Sequence, residues 1–288
     1  MREVIKTRVS FKEERPTLYL ISTPIGNLKD ITLRALEVLE KVDLIYAEDT
    51  RVTLKLLNHY EINKKVVSYH SFNEEERVKE AINNLENGLS IGLCTDAGTP
   101  GISDPGYLLV REIKDRFPVV SVPGASAVLA AIISSGLVPE PFTFVGFPER
   151  KKGKRNTQLE QYKTYPHTLV FYERGERVLD FVNDLFLVYG KRKCVLAKEL
   201  TKLHETYYEF TLGTNIENLN FKGEFVVMVS GYVEEETTDK KIIEKVEEFI
   251  NKGYTKKDAI NLTSDELNVS KNKVYQLCIN RKTEEENV

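Results

Sequence analysis

Across residues 16–136, short apolar runs alternate with helical patterns, and this alternation constrains the fold more than any other feature. The runs are Leu18-Tyr19-Leu20-Ile21, Asp43-Leu44-Ile45-Tyr46-Ala47, Val66-Val67-Ser68-Tyr69, Leu89-Ser90-Ile91-Gly92-Leu93 and Val119-Val120-Ser121-Val122. They are enriched in β-branched and aromatic residues, and several are bounded by Gly, Pro, Asp or Asn, which marks them as strands. Between them, residues 31–39 and 78–85 repeat apolar positions at helical spacing, and Gly88 closes the second segment. A βαβα alternation predicts a mostly parallel sheet covered by helices. Residues 125–135 carry almost no polarity, which predicts a buried helix stopped by Gly136. Val138-Pro139-Glu140-Pro141 then breaks regular structure as a domain linker.

Beyond the linker the density of strand patterns rises. Phe142-Thr143-Phe144-Val145-Gly146, Thr168-Leu169-Val170-Phe171-Tyr172, Cys194-Val195-Leu196-Ala197, Thr206-Tyr207-Tyr208-Glu209-Phe210 and Phe225-Val226-Val227-Met228-Val229 surround one helical segment, 177–185. This predicts a second α/β domain with antiparallel pairs near its end. From Thr237 onward three short helical patterns follow, the second capped by Thr255 and the third opened by Ser270. They suggest a helix-turn-helix-like module, with a packing appendage or dimerisation arm as the alternative. The expected organisation is a tail over 1–15, an α/β domain over 16–138, a second over 139–233, a helical module over 237–282 and a tail over 283–288, disordered at Glu284-Glu285-Glu286.

The chain has 288 residues, 41% hydrophobic and 30% charged, with a formal charge of −3. That excludes a globally basic nucleic-acid coat while leaving room for a local basic patch. No run approaches the roughly 20 apolar residues of a membrane helix, and the charged N-terminus lacks a signal-peptide core, so the expected compartment is the cytoplasm. Cys94, Cys194 and Cys278 lie far apart, which suits reduced, buried thiols. His59, His70, His167 and His204 are equally scattered, and no metal site is expected.

Ligands of open α/β sheets bind outside the carboxyl ends of the strands, and four turns fall there. In Ser22-Thr23-Pro24-Ile25-Gly26-Asn27-Leu28-Lys29-Asp30, Gly26 permits close backbone approach, and Asn27 or Asp30 can cap the next helix. The glycine spacing matches neither a dinucleotide fingerprint nor a P-loop. Ala47-Glu48-Asp49-Thr50-Arg51 sets three charges at a strand end, a costly group to bury without a role, or else a capping arrangement built on Asp49. Residues 95–106, Thr-Asp-Ala-Gly-Thr-Pro-Gly-Ile-Ser-Asp-Pro-Gly, would present backbone N–H and C=O groups in a fixed shape suited to a zwitterionic ligand. Asp96 would accept from its ammonium or hydroxyls, and Asp104-Pro105 predicts the start of a helix. Pro123-Gly124-Ala125-Ser126-Ala127 puts small residues at a helix start, where a flat ring or carboxylate can approach.

In this order, Thr23–Leu28, Ala47–Arg51, Asp96–Gly106 and Pro123–Ala127 resemble the ribosomal RNA small-subunit methyltransferase I family, a branch of the tetrapyrrole methylase superfamily. The resemblance covers about residues 16–232, and the helical tail also matches that branch. It implies two α/β domains of the tetrapyrrole methylase type with S-adenosylmethionine in the cleft between them, usually in a homodimer. The implied activity is methylation of the ribose 2′-hydroxyl of a cytidine in the decoding region of 16S ribosomal RNA, in free RNA or the 30S particle. By similarity, cofactor contacts fall on Pro24, Gly26, Asp96, Gly98, Thr99, Ser126 and Ala127, with Tyr172 and Ala197 from the second domain. The first loop carries fewer glycines than is usual in the superfamily, a departure characteristic of the RNA branch.

A ribose hydroxyl is a weak acid, so a carboxylate base or a nearby Lys would assist its loss of a proton. Glu48, Asp49, Lys198 and Glu199 stand at predicted strand ends and are the catalytic candidates. RNA phosphates need positive charge, for which Arg51 and the run Arg150, Lys151, Lys152, Lys154 and Arg155 are candidates, with Lys271, Lys273, Arg281 and Lys282 as a second patch. The basic run reads as a flexible segment near the domain junction. The rival readings are a methyltransferase acting on a tetrapyrrole or corrin precursor, a non-catalytic RNA- or DNA-binding protein, and a nucleotide-binding regulator.

Overall fold

In the computed structural model, which describes residues 7–8, 10, 15–233, 239–267 and 269–285, the chain divides into two compact units at Tyr232/Val233. The first unit holds two five-stranded sheets. Strands β1 (Leu18–Ile21), β2 (Leu44–Ala47), β3 (Lys65–Ser68), β4 (Ile91–Cys94) and β5 (Val119–Val122) pair in the order β3-β2-β4-β1-β5, all parallel. The connecting helices are α1 (Leu33–Lys41), α2 (Thr50–His59), α3 (Glu74–Glu86) and α4 (Tyr107–Ile113).

Alternation along each strand sends successive side chains to opposite faces. Leu18, Leu44, Tyr46, Ile91 and Leu93 pack against Val78, Ala81 and Leu85 of α3 and Leu109 and Ile113 of α4. Tyr19, Ile21, Ile45 and Val122 pack against Ala35, Val38 and Leu39 of α1 and Leu57 of α2. The predicted sheet between two helical layers is therefore present.

The second sheet contains β6 (Phe142–Gly146), β7 (Thr168–Arg174), β8 (Lys193–Lys198), β9 (Thr206–Thr211) and β10 (Glu224–Val229), ordered β6-β7-β10-β8-β9. Only β6 and β7 are parallel; the other pairs are antiparallel. One face buries Leu169, Phe171, Leu196 and Phe225 under α7 (Gly175–Tyr189). The other face buries Val170, Val195, Ala197, Val226 and Met228 under Val128, Ala131 and Ile132 of α5 (Ala127–Ser134). Helix α5, which follows the last strand of the first sheet, thus packs on the second sheet. It is not buried all round as its composition suggests: Leu129 and Ile133 are 54% and 75% exposed. Only one stripe of a helix can meet one sheet, whatever the apolarity of the rest.

Three other local expectations are corrected. Asn27 caps a short 3-10 turn (Leu28–Asp30), and Thr32 caps α1. Asp104 caps no helix: α4 starts after Gly106, and the Asp104 carboxyl is drawn to Thr95 instead. The basic run is a helix rather than a flexible segment, with α6 spanning Lys152–Glu160. Within it Arg155 is buried; its Nε donates to Asp184 of α7 at 2.8 Å, and Nη1 donates to the Arg150 carbonyl at 3.2 Å. Arg155 is therefore a core residue and not a phosphate contact.

The second unit packs α8 (Asp239–Asn251), α9 (Lys256–Glu266) and α10 (Lys271–Glu285) around Ile242, Val246, Ala259, Ile260 and Val274. Thr255 caps α9 as expected. Helix α10 continues through Glu285, into the stretch expected to be disordered; the side chains of Arg281 and Lys282 lie outside the described residues.

Breaking a buried ion pair from one side strands the other charge. Asp184→Ala should lower stability by about 3–5 kcal/mol, measured as a shift in the urea midpoint; an exposed control such as Lys154→Ala should leave it within about 0.5 kcal/mol.

Candidate active site

Because β1 to β5 are parallel, all five of their carboxyl-end loops emerge on one edge, and the predicted motifs converge there. The first loop and the 95–106 loop are joined by backbone: Thr23 N–H donates to the Gly98 carbonyl at 2.8 Å, and Gly98 N–H returns to Thr23 at 3.2 Å. Gly98 holds φ +88°, a conformation that only glycine adopts without strain. Side chains reinforce the joint: Thr23 Oγ1 donates to the Thr95 carbonyl at 3.1 Å, and the Ser22 and Thr99 hydroxyls meet at 3.0 Å. Gly26 lies against the loop after β8, where an added Cβ would stand 2.8 Å from the Leu200 carbonyl. Pro24 sits in this same turn, half-buried.

The second sheet closes the other side. Tyr172 of β7 stacks edge-on to Phe144 at 4.9 Å and tilts against Phe147 at 5.5 Å. Its phenol oxygen accepts from the Val128 amide at the start of α5, beside Ala127 and the Ser126 cap. Burial, foremost, pushes the phenol up to about 12. Ala197 of β8 lies on the same face of the sheet as Tyr172, through the shared partner Val226. Every residue assigned to the cofactor by similarity thus lies on the joined loops, at the start of α5, or on the facing side of the second sheet. Backbone amides and carbonyls, the hydroxyls of Ser22, Thr99 and Ser126, the Asp96 carboxylate and an aromatic face form a donor set that fits an amino-acid tail, a ribose and an adenine.

The carboxyl groups of this edge differ in state. Asp49 caps α2 by accepting from the Arg51 amide at 2.8 Å, and its carboxylate holds the Arg51 guanidinium. Those Arg51 hydrogen bonds hold the Asp49 acid at about 2, which makes it a poor proton acceptor. Asp96 accepts from the Asp49 amide at 3.0 Å, and burial, foremost, raises its pKa. Thr95 Oγ1 stands 2.8 Å from Glu48 Oε2 and 2.7 Å from Asp104 Oδ2. The Asp104 acid is pushed up to about 6, first by burial and then by Glu48, Asp96 and Glu224, against the lowering effect of its Thr95 bond.

Of the catalytic candidates, Glu48 and Asp49 share this edge. Lys198 does not join them. It projects from β8 on the α7 side, donating to the Asn220 carbonyl at 3.0 Å with the Phe225 ring 5.8 Å away. Strand alternation sends it to the face opposite Ala197. Glu199 is ion-paired to Lys202 at 3.1 Å, within a turn where Glu199 and Thr201 both have positive φ. Arg150, Lys151, Lys152 and Lys154 are exposed at the start of α6. Thr95 and Asp104 are the residues that sequence reasoning missed. The bond between Thr95 and Glu48 spans 47 positions, and no local pattern signals it. Burial pushes the Cys94 thiol up to about 12, in keeping with an unreactive core residue.

Two facing α/β layers, with ligand-ready loops along a parallel edge, define an α/β protein with a small-molecule site between its two sheets. Residues 17–215 match the family model described as Tetrapyrrole (Corrin/Porphyrin) Methylases. The chain belongs to this family of S-adenosylmethionine-dependent methyltransferases, in the ribosomal RNA small subunit methyltransferase I branch. It is 41% identical to "Ribosomal RNA small subunit methyltransferase I" of Halalkalibacterium halodurans, over 95% of this chain and 99% of that one. Its identity to the protein of the same name in Bacillus subtilis is 40%, over 94% and 98%. Among solved structures, the methyltransferase CobJ superposes with TM-score 0.57 at 14% identity, over 75% of this chain and 94% of that one. Diphthine synthase does so at 0.58 and 15%, over 75% and 90%. These two likenesses concern the fold.

A folded-state pKa raised above 3.8 to about 6 means the native state holds its proton longer than the unfolded chain. Stability then falls as pH rises through that window. Asp104→Asn should flatten the decline in Tm between pH 4 and 6 and raise Tm at pH 7; an unchanged profile would contradict the assignment.

Proposed function

We propose that the chain transfers a methyl group from S-adenosylmethionine to the ribose 2′-hydroxyl of a cytidine in the decoding region of 16S ribosomal RNA. The observation that carries this reading is the extent of the likeness. The Halalkalibacterium halodurans and Bacillus subtilis relatives match 95% and 94% of this chain, more than the first unit alone could supply, whereas the solved CobJ methyltransferase leaves a quarter unmatched. A tetrapyrrole methylase needs no such addition; a methylase of a large folded RNA gains a further surface.

The cofactor, when bound, supplies an electrophilic methyl on a sulfonium. The chain's own residues supply orientation and the route for a proton. The Thr23–Gly98 joint, Asp96 and the Ser126 cap would hold the amino-acid and ribose portions, with Tyr172 and Ala197 closing the opposite wall. Glu48 is the base best placed for the acceptor hydroxyl, since Asp49 is committed to Arg51. The protein acts as a homodimer in the cytoplasm, on free RNA or the 30S particle.

The start of α6 supports the RNA reading. Lys151 stands at its N-cap position without a side-chain cap, Lys152 and Lys154 occupy its first turn, and no acidic residue stands there. Cations at the positive end of a helix are unfavourable by a few tenths of a kcal/mol each, a cost an RNA phosphate offsets. Lys152 lies 3.6 Å from Asp184, while Lys151 and Lys154 are exposed.

Ribose-methylation mapping of small-subunit RNA from cells with and without the gene should show one 2′-O-methyl group lost on deletion. Unchanged RNA with an altered tetrapyrrole pool would overturn the reading. Replacing Lys151, Lys152 and Lys154 together by Ala should reduce the salt slope of RNA binding by about 2–3. An unchanged slope would remove α6 from the interface.

A further inference from the structure

Thr95 has one hydroxyl hydrogen and two carboxyl groups within reach, Glu48 at 2.8 Å and Asp104 at 2.7 Å. Its side chain is buried, with 3% of the residue exposed. If both acids were ionised, one of these contacts would be two oxygens facing each other with no hydrogen between them. Both are satisfied when one acid carries its own proton. In that state Asp104 donates to Thr95 Oγ1, and Thr95 donates to Glu48.

The surroundings explain which acid keeps the proton. Asp104 is faced by Glu48 from the loop after β2, Asp96 from the loop after β4, Glu224 from β10 and the Tyr172 phenol from β7. Among the described residues no Lys or Arg forms an ion pair with Glu48, Asp96 or Asp104; Arg51 is forked to Asp49 and reaches Asp96 only through its charge. The edge is therefore a group of carboxyls whose cation, Arg51, is forked to Asp49 and acts on Asp96 from a distance, leaving Glu48 and Asp104 unpaired with any cation among the described residues.

We propose that the Glu48–Thr95–Asp104 group exchanges one proton against the charge of the methyl donor. It releases the proton when the cationic donor enters, and takes one up when transfer has removed that charge. This rests on the placement of the cofactor in this cleft and does not depend on the identity of the acceptor. The chemistry balances. The acceptor O–H bond breaks and a C–O bond forms, while the C–S bond breaks with its electron pair left on sulfur. A positive charge disappears from the cleft as a proton becomes available. Glu48 receives that proton, and Thr95 passes one on to Asp104. Asp104 acts through Thr95 and Glu48 as a positioning residue, and the demethylated product, having no sulfonium, meets a site already neutralised.

Titration calorimetry of the full chain near pH 6, in two buffers of different ionisation enthalpy, separates proton exchange from binding. S-adenosylmethionine should release about half a proton more than S-adenosylhomocysteine, since a group titrating near 6 is half protonated there. Donor affinity should rise with pH through the same region while product affinity stays level. In Asp104→Asn, and in Thr95→Val should the first variant fold poorly, the difference between the two ligands should vanish while both still bind. Equal release by the two ligands in the wild-type chain, or a difference that survives both substitutions, overturns the proposal. Gly98→Val tests the placement beneath it. Weakened binding there locates the cofactor at this edge, and unchanged affinity for both ligands removes the placement and the proposal together.

Discussion

Five parallel strands impose the constraint from which the site follows. A parallel strand delivers its following loop to the same edge as its neighbours, so segments far apart in sequence are brought to one line without any contact designed between them. Residues 22–31, 48–51, 95–106 and 123–126 meet in this way, and the strand order β3-β2-β4-β1-β5 decides which become adjacent. The β2 and β4 loops are neighbours, which is why Glu48 and Asp49 can reach Thr95 and Asp96. The β4 and β1 loops are neighbours on the other side, which is why Thr23 and Gly98 can exchange backbone hydrogen bonds. A slip of β4, the strand both pairs share, would dissolve both contacts at once.

What turns this edge into a cleft is helix α5. Its buried stripe of Val128, Ala131 and Ile132 belongs to the core of the second sheet although its chain belongs to the first. The helix start also takes part in the site, with Ser126 as its cap and the Val128 amide reaching Tyr172. One element thus sets both the spacing of the two layers and the position of an aromatic wall. This differs from a flexible linker between separate domains, and it accounts for both sheets falling in one compact unit.

Much of this was legible in the chain because it is local. Strand positions, the β-rich second half and the Asp49 and Thr255 caps each depend on a few neighbouring residues. Where sequence reasoning went astray, tertiary context competed with a local signal. Asp104-Pro105 has the form of a helix start, but the carboxyl is drawn to Thr95 and the helix waits for Tyr107. Arg155 looks like one more cation in a basic run, yet helical spacing turns it inward to Asp184 while Lys151 and Lys154 stay outside. Lys198 stands at a strand end as expected, but period-two alternation sends it to the wrong face. A linear sequence records residue type well and facing only through a period, and charged residues at element ends have too few neighbours to show one.

The carboxyl groups at the edge show how a few ångströms assign roles to chemically equal residues. Asp49 and Asp104 are the same side chain in loops that touch. Asp49, half-buried and forked to Arg51, sits at about 2, while Asp104, half-buried among like charges, sits at about 6. The separation is set by partners rather than by sequence: a guanidinium in one case, a shared hydroxyl and three acids in the other. An acid near 2 is fixed as an anion and serves to cap a helix and aim Arg51. An acid near 6 exchanges its proton under modest changes of local charge. In this site the two kinds divide the work: donor and product differ by one positive charge, the transfer liberates one proton as that charge is lost, and of the two acids only Asp104 is poised to exchange it.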